Sequence, residues 1–169
     1  MMQVSSEYRD LQFRMHQEKP GYGTFGHMWA PVVMQLAANL DTQDILDYGC
    51  GKGTLNLHLP FGIQCYDPCI PKYSARPRPA KIVVCTDVME HVEEECVDAV
   101  LDDLRSLTLD TLVLNIALKE SLKHLPDGRN AHSTLKPIPW WMEKVEKRFV
   151  VLNQNNEENT LSLILKVKE

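Results

Sequence analysis

A strand-like segment runs directly into a glycine-rich turn, and an acidic residue stands on either side of that turn. The turn is GCGKG at 49–53, Asp47 precedes it, and Asp67 ends the next strand-like segment. Glycines let a backbone approach a ligand closely, and a helix that starts behind the turn offers free N–H groups. A carboxylate at Asp67 can accept both hydroxyl protons of a ribose. The pattern indicates a cradle for a nucleotide-containing cofactor.

Two histidines are candidates for proton chemistry beside this cradle. His91 lies in DVMEHV (87–92) and His132 ends the polar stretch DGRNAH (127–132). Imidazole titrates near neutral pH, so either side chain could remove a proton from a reacting group. The alternatives are that His91 only hydrogen-bonds backbone at a helix start, and that His132 is a solvated surface residue. A substrate-facing role for the polar stretch would add three residues to the site: Asp127, Arg129 and Asn130.

The elements that must position these residues alternate between helix-like and strand-like segments. Helical spacing is found over 6–18, from Pro31 to Leu40, from Val97 to Leu104 and over 140–149. Buried strands are predicted at 44–48, 62–67, 81–86 and 111–118, followed by a hairpin around 155–158. This order predicts an α/β protein with a Rossmann-like, doubly wound, mostly parallel sheet that ends in a C-terminal antiparallel hairpin. The ligand should then lie at the carboxyl edge of the strands, beyond Tyr48, Asp67 and Thr86.

Length and composition limit the function classes. With 169 residues, we expect one domain, consisting of N-terminal helices and a lid over 1–40 and the Rossmann-like core over 41–169. The net charge of −5 disfavours duplex nucleic acid as a partner, because affinity for phosphate backbones comes from clustered cations. Five cysteines cannot all pair internally, which indicates reduced thiols and a cytoplasmic location. We find no apolar segment long enough for a membrane span.

The proline-rich stretch from 68 to 81 is basic, and no acidic residue occurs from Pro68 to Thr86. We interpret it as an extended connector, and the alternative is a surface that steers an acidic or phosphorylated substrate toward the cleft. Cys65 and Cys69 lack a second pair at ligand spacing, so we expect no zinc site and no other metal.

The segments ILDYGCGKG (45–53), YD (66–67) and VVCTDVMEHV (83–92) together resemble the class I S-adenosylmethionine-dependent methyltransferases, and the order of the elements after them does too. The resemblance covers most of the chain. It implies methyl transfer from S-adenosylmethionine to a small-molecule, nucleotide or exposed peptide acceptor.

The resemblance also assigns roles to residues. The glycine-rich turn would hold the methionine portion of the cofactor, Asp67 would bind its ribose, and the segment after the family's fourth strand would line the cofactor and face the substrate. The residues implied for the methionine portion are Asp47, Gly49, Gly51 and Gly53. Those implied for the segment after the fourth strand are Asp87, Val88 and Met89. The segment GYGTFG (21–26) is either a connector or a lid, on which Tyr22 and Phe25 would shield the sulfonium through cation–π contact. His132 and His91 are the candidate catalytic bases.

Two features depart from the family pattern. Little room remains between Asp67 and Lys81 for a third strand, whose following acid would contact the adenine amino group. The usual Gly-Gly turn before the fifth strand is replaced by Leu109-Asp110-Thr111.

Two further function classes stay open. A non-catalytic sensor or partner subunit would bind S-adenosylmethionine or S-adenosylhomocysteine without turnover. A nicotinamide-dependent enzyme is disfavoured by the absence of GxGxxG. The motifs of base-amine and base-carbon methylases are missing after the fourth strand, which also favours a small acceptor over duplex nucleic acid. The sequence does not indicate an oligomeric state.

Overall fold

A computed structural model describes residues 4–157 and 159–168 of the chain. The described residues form five α-helices and six strands, and the predicted order of elements is confirmed. The helices are α1 (Ser6–Glu18), α2 (Ala30–Asn39), α3 (Thr54–His58), α4 (Val97–Leu107) and α5 (Ile138–Glu146). The strands are β1 (Ile45–Tyr48), β2 (Gln64–Tyr66), β3 (Ala80–Thr86), β4 (Thr108–Ala117), β5 (Phe149–Glu157) and β6 (Thr160–Val167).

The six strands form one sheet in the order β2-β1-β3-β4-β6-β5. The pairs among β2, β1, β3 and β4 are parallel, whereas β6 pairs antiparallel with both β4 and β5. The predicted fold class is therefore confirmed, including the C-terminal hairpin. Residue 158, between β5 and β6 in the sequence, lies outside the described residues.

Side chains of β3 alternate between two buried layers, as expected for a strand covered on both faces. Ile82 and Val84 pack with residues of α2 and α3, and Val83 and Cys85 pack with residues of α4 and α5. The helices that cover the two faces are thus separated in sequence, and the carboxyl ends of the strands stay open at one edge. Among the described helices, none combines the length and apolar character needed to cross a bilayer.

The segment between β2 and β3 contains no strand among its residues, and its regular structure is a short 3-10 helix, Pro71–Tyr73. The doubt about a third strand is therefore justified. Two arginines tie this proline-rich segment to the core. Arg76 pairs with the buried carboxylate of Asp103 on α4 at 2.5 Å, and Arg78 pairs with Asp44 at 2.8 Å.

The residues that stand in place of a Gly-Gly turn, Leu109, Asp110 and Thr111, lie inside β4, so the strand begins three residues before the predicted start at Thr111. Helix α4 passes directly into the strand, since Thr108 ends the helix and starts the strand. The hydroxyl of Thr108 donates a hydrogen bond to the carbonyl of Leu104 at 2.7 Å, and the last helical turn thus ends without a glycine.

Candidate functional site

A cavity of about 740 Å³ opens at the carboxyl edge of β1, β3 and β4, where the sequence predicted a ligand. Its walls come from the glycine-rich turn, α1, residues 22–26, the segment after β3 and the loop after β4. Of the predicted site residues, ten line the cavity: Tyr22, Phe25, Asp47, Gly49, Gly51, Asp67, Asp87, Val88, His91 and His132.

The glycine-rich turn is held against the end of β2. The N–H groups of Gly49 and Cys50 both donate to the carbonyl of Tyr66, at 2.7 and 3.0 Å. Gly49 has φ of 77°, and a β-carbon there would come 2.3 Å from Cγ2 of Val88. Only glycine fits at this position, because both the backbone conformation and the close approach of Val88 exclude a side chain.

Residues 21–26 lie directly on this turn. The N–H of Lys52 donates to the carbonyl of Gly23 at 2.9 Å. The ammonium of Lys52 also donates to the carbonyls of Lys19 and Pro20, at 3.1 and 2.7 Å. The segment therefore covers the turn and contributes to the cavity wall. We call residues 21–26 the covering segment.

The two aromatic residues of the covering segment differ in their surroundings. Tyr22 is buried, its hydroxyl donates to Oε1 of Gln12 at 2.7 Å, and its ring lies between the rings of His16 and His91 at 4.8 and 5.7 Å. Phe25 is 55% exposed at the start of the 3-10 helix Phe25–Trp29. Tyr22 is thus a fixed part of the wall, whereas Phe25 lies at its outer edge.

Two buried carboxylates form the polar floor of the cavity. Asp67 accepts hydrogen bonds from the N–H groups of Gly51 and Cys69, at 3.1 and 2.9 Å. Burial raises its pKa to about 6, against the lowering effect of these two hydrogen bonds. Burial, with the nearby Cys65 and Asp67, raises the pKa of Asp47 well above its usual value, and its Oδ2 has no hydrogen-bond partner. An unpartnered buried carboxylate oxygen is costly, so this atom fits a cationic or hydrogen-bonding ligand group.

The segment after β3 divides its side chains between cavity and core. Asp87 adopts the left-handed conformation with φ of 55°, and burial raises the pKa of its carboxyl. Val88 packs on Gly49. Met89 is fully buried in the core on the α4 side of the sheet and does not line the cavity, and neither does Gly53, which precedes α3.

His91 and His132 meet across the cavity edge, with ring centroids 4.8 Å apart in an edge-to-face arrangement. Burial and the neighbouring His132 lower the pKa of His91 to about 3, and burial lowers the pKa of His132. Both imidazoles are therefore neutral at pH 7. His91 lies in the 3-10 helix Met89–His91, and the loop after β4 carries His132.

Glu90 is a site residue that sequence reasoning missed. Its side chain is buried and lines the cavity beside His91 and His132. Burial, then the nearby Asp87, raises its pKa to about 8. The signal available in the sequence was a second acidic residue in DVMEHV (87–92), adjacent to His91.

The three predicted substrate-side residues of the polar loop do not line the cavity. Arg129 pairs with Asp127 at 2.6 Å on the surface. Asn130 orders the loop, because its Oδ1 accepts the N–H groups of Ser121 and His132 at 3.0 and 2.9 Å. Asn130 therefore positions His132, and the other two face solvent.

Neither a protein-family model nor a curated protein sequence matches this chain. Solved structures do share its fold. The 1,6-didemethyltoxoflavin-N1-methyltransferase of Burkholderia thailandensis, solved with its named substrate and S-adenosylhomocysteine, superposes with a TM-score of 0.68 at 13% identity over 100% of this chain and 92% of that one.

Two further methyltransferases superpose almost as well. Magnesium protoporphyrin IX methyltransferase of Synechocystis PCC 6803, with bound S-adenosylmethionine, gives a TM-score of 0.67 at 13% identity, over 99% of this chain and 100% of that one. The N-methyltransferase NodS of Bradyrhizobium japonicum WM9, with S-adenosylhomocysteine, gives 0.66 at 10% identity, over 98% and 100%. At these identities the likeness concerns the fold: the chain has the fold of class I methyltransferases.

Proposed function

We propose that this protein transfers a methyl group from S-adenosylmethionine to a small-molecule, nucleotide or exposed peptide acceptor. The observation that carries the proposal is the pair of buried carboxylates, Asp47 and Asp67, at the floor of the cavity beside a glycine-rich turn. Similarly folded proteins that bind S-adenosylmethionine or S-adenosylhomocysteine support this choice of cofactor.

The residues around the turn suit the parts of this cofactor. The carboxylate of Asp67 can accept hydrogen bonds from ribose hydroxyls, and the unpartnered Oδ2 of Asp47 suits the ammonium group of the methionine portion. Because Gly49 and Gly51 lack side chains, Val88 and the covering segment pack directly on the turn and shape the cavity wall beside it. These residues, with Asp87 and Val88, form the proposed cofactor site. Gly53 shapes the end of the turn, and Met89 anchors the segment after β3 in the core.

When bound, S-adenosylmethionine supplies an electrophilic methyl group with a good leaving group. The chain then has to hold the acceptor in line, which is mainly a task of positioning. The covering segment, with Tyr22 fixed and Phe25 at the edge, limits the access of water from one side. His91, His132 and Glu90 bound the remaining part of the cavity, which we propose receives the acceptor.

A proton must be removed only when the acceptor carries one at neutral pH. We propose that His132 accepts it and that His91 assists. Nδ1 of His132 lies 2.6 Å from the carbonyl of Lys119, and Nδ1 of His91 lies 2.6 Å from the carbonyl of Ala131. A carbonyl only accepts, so each Nδ1 carries a hydrogen, and Nε2 of each neutral ring keeps its lone pair for a proton.

A small molecule is the acceptor class that the site favours. The cavity volume of about 740 Å³ falls within the range of roughly 300–1,000 Å³ found for small-molecule pockets. The similarly folded toxoflavin and protoporphyrin methyltransferases carry small-molecule substrates in their names. The net charge of −5 supports the same choice over duplex nucleic acid.

Calorimetric titration with S-adenosylhomocysteine, followed by a radiolabel screen, tests the proposal. We expect binding of one molecule per chain, and transfer of label from methyl-tritiated S-adenosylmethionine to a member of a library of small metabolites and nucleotides. Binding without transfer to any acceptor would indicate the sensor function instead. Absence of binding would refute both.

A further inference from the structure

We propose that Glu90, His91 and His132 form a binding site for a divalent first-row transition-metal cation at the edge of the cavity. One ligand atom from each of the three side chains lies within 4.8 Å of the other two. Ligand atoms about 2.1 Å from a common ion are roughly 3.4 Å apart in tetrahedral geometry, so small side-chain rotations would complete the coordination.

Both histidines are oriented as metal ligands usually are. Metal-binding histidines characteristically donate one ring N–H to a carbonyl or carboxylate, which fixes the tautomer and directs the other nitrogen at the ion. Here His91 donates Nδ1–H to the carbonyl of Ala131, and His132 donates Nδ1–H to the carbonyl of Lys119. Nε2 of each ring is the atom left to bind a cation.

Only one of the two carboxyl oxygens of Glu90 has a hydrogen-bond partner in the protein. Its Oε1 accepts the N–H of Ala117 at 3.1 Å, whereas its Oε2 is buried and has no hydrogen-bond partner. A buried polar oxygen without a hydrogen-bond partner is unfavourable. A cation held jointly with the two imidazoles would favour the ionised carboxylate and supply the missing partner.

Hydrogen bonds between two separate segments hold the three side chains together. The N–H of Thr134 donates to the carbonyl of Glu90 at 3.0 Å, and its hydroxyl donates to the carbonyl of Val92 at 2.6 Å. On the same loop, Asn130 fixes the backbone of His132. The loop after β4 is thereby attached to the 3-10 helix Met89–His91, and the cluster is formed before any ligand arrives.

Two imidazoles and one carboxylate select for Mn²⁺, Fe²⁺, Co²⁺ or Zn²⁺ over Mg²⁺ and Ca²⁺, which prefer all-oxygen sites. Three protein ligands leave coordination positions free, and all three residues line the cavity, so an oxygen atom of a molecule in the cavity can complete the shell. Cation binding itself does not depend on the proposed methyl transfer. A hydroxyl acceptor bound to the ion would lose its proton more easily, which would replace the need for a histidine base.

Titration of the untagged, metal-stripped full chain with Mn²⁺, followed by electron paramagnetic resonance, tests this site. Mn²⁺ is the chosen probe because it binds thiols poorly and so avoids the free cysteines. We expect one Mn²⁺ per chain, and an affinity lowered at least about 10-fold by His132→Ala and by Glu90→Gln. His124→Ala should bind Mn²⁺ like the wild type, because that exposed histidine lies outside the cluster.

Two results would overturn the site: no stoichiometric Mn²⁺ binding by the wild type, or equal affinity in the wild type and in His132→Ala. His132 is only partly buried, so this variant should fold even where Glu90→Gln does not, and circular dichroism checks both. A parallel titration with S-adenosylhomocysteine separates the two proposals. Cofactor binding without Mn²⁺ binding would refute the cation site alone, and the reverse result would refute the proposed cofactor site alone.

Discussion

Gly23 lies directly against Gly51, so that a β-carbon on Gly51 would come 2.6 Å from the carbonyl oxygen of Gly23. The covering segment and the glycine-rich turn thus touch backbone to backbone. The N–H of Lys52 bonds to the same carbonyl, which fixes the contact. The shape of the cavity wall therefore depends on the absence of a side chain at position 51.

Replacing Gly51 by Val should displace the covering segment. Gly51 has φ of 52°, a conformation that valine adopts only with strain, and the added side chain would collide with Gly23. The strain itself lowers stability, by roughly 1–3 kcal/mol, whereas displacement of the covering segment removes one wall of the cavity. We therefore expect a loss of about 10-fold or more in affinity for S-adenosylhomocysteine, measured by calorimetry. Gly21→Ala is the matched control, because a β-carbon there meets nothing within 4 Å. Wild-type affinity in Gly51→Val would contradict this close contact.

Removing the carboxylate of Asp67 should weaken cofactor binding by roughly 2–3 kcal/mol, because two charge-assisted hydrogen bonds to ribose would be lost. Calorimetry on Asp67→Ala measures the effect, and thermal unfolding shows how much of it is structural, since Asp67 also holds Gly51 and Cys69. Asp44→Asn is the control, because that carboxylate pairs with Arg78 just before β1, away from the cavity. Unchanged affinity in Asp67→Ala would exclude the ribose role.

Cofactor affinity should fall as the pH drops through about 6. The folded-state pKa of Asp67 is raised by burial from 3.8 to about 6. The ligand-free protein therefore loses stability as the pH rises from about 4 to 6, and the loss is constant above that range. Ribose hydroxyls prefer the ionised form, so a bound cofactor would lower this pKa and binding would weaken below pH 6, by up to about 10-fold per pH unit. Calorimetry between pH 5 and 8 measures the dependence. In Asp67→Asn the affinity should depend much less on pH. An equally steep pH dependence in that variant would mean that another group titrates, with Asp47 the nearest candidate.

The sequence predicted the local features of the site well because they follow from short-range constraints. A turn that needs positive φ at residues 49, 51 and 53 selects glycine there, and three of the four residues of the strand before it have apolar or aromatic side chains. The position of Asp67 at the end of β2 follows from the same strand order. These features need no knowledge of distant contacts.

The meeting of Glu90 with His132 could not be predicted in this way. It depends on how the loop after β4 folds back onto the segment after β3, through hydrogen bonds made by Asn130 and Thr134. Similarly, the 3-10 helix at Met89–His91 decides that Met89 enters the core while its two successors line the cavity. The expectation that no metal binds rested on cysteine spacing, which does not report on histidines that come together only in the fold.

Replacing Asp47 by Asn should stabilise the ligand-free protein and weaken cofactor binding. Because burial raises the pKa of Asp47 well above its usual value, this group destabilises the ligand-free protein at pH 8, whereas a neutral amide is less costly to bury. We expect a gain of about 1 kcal/mol, or roughly 2–4 °C in Tm for a chain of this size, together with a loss of about 10-fold in affinity for S-adenosylhomocysteine. Differential scanning calorimetry and titration measure the two effects, with a substitution of the same type at an exposed position, Asp41→Asn, as the control. A lower Tm would mean that interactions within the protein already stabilise the carboxyl group of Asp47.

His132→Ala should lower kcat by about 10²–10⁴, with cofactor affinity within a factor of a few, if the imidazole removes the proton of the acceptor. Steady-state kinetics with the acceptor identified by the radiolabel screen, and calorimetry with S-adenosylhomocysteine, measure the two quantities. A higher KM with unchanged kcat would mean that His132 only positions the acceptor. His124→Ala is the matched control, since it removes an exposed imidazole from the same loop outside the cavity. Unchanged kinetics in His132→Ala would mean that His132 takes no part in the reaction. Its hydrogen bond to the carbonyl of Lys119 would then serve only the structure of the loop.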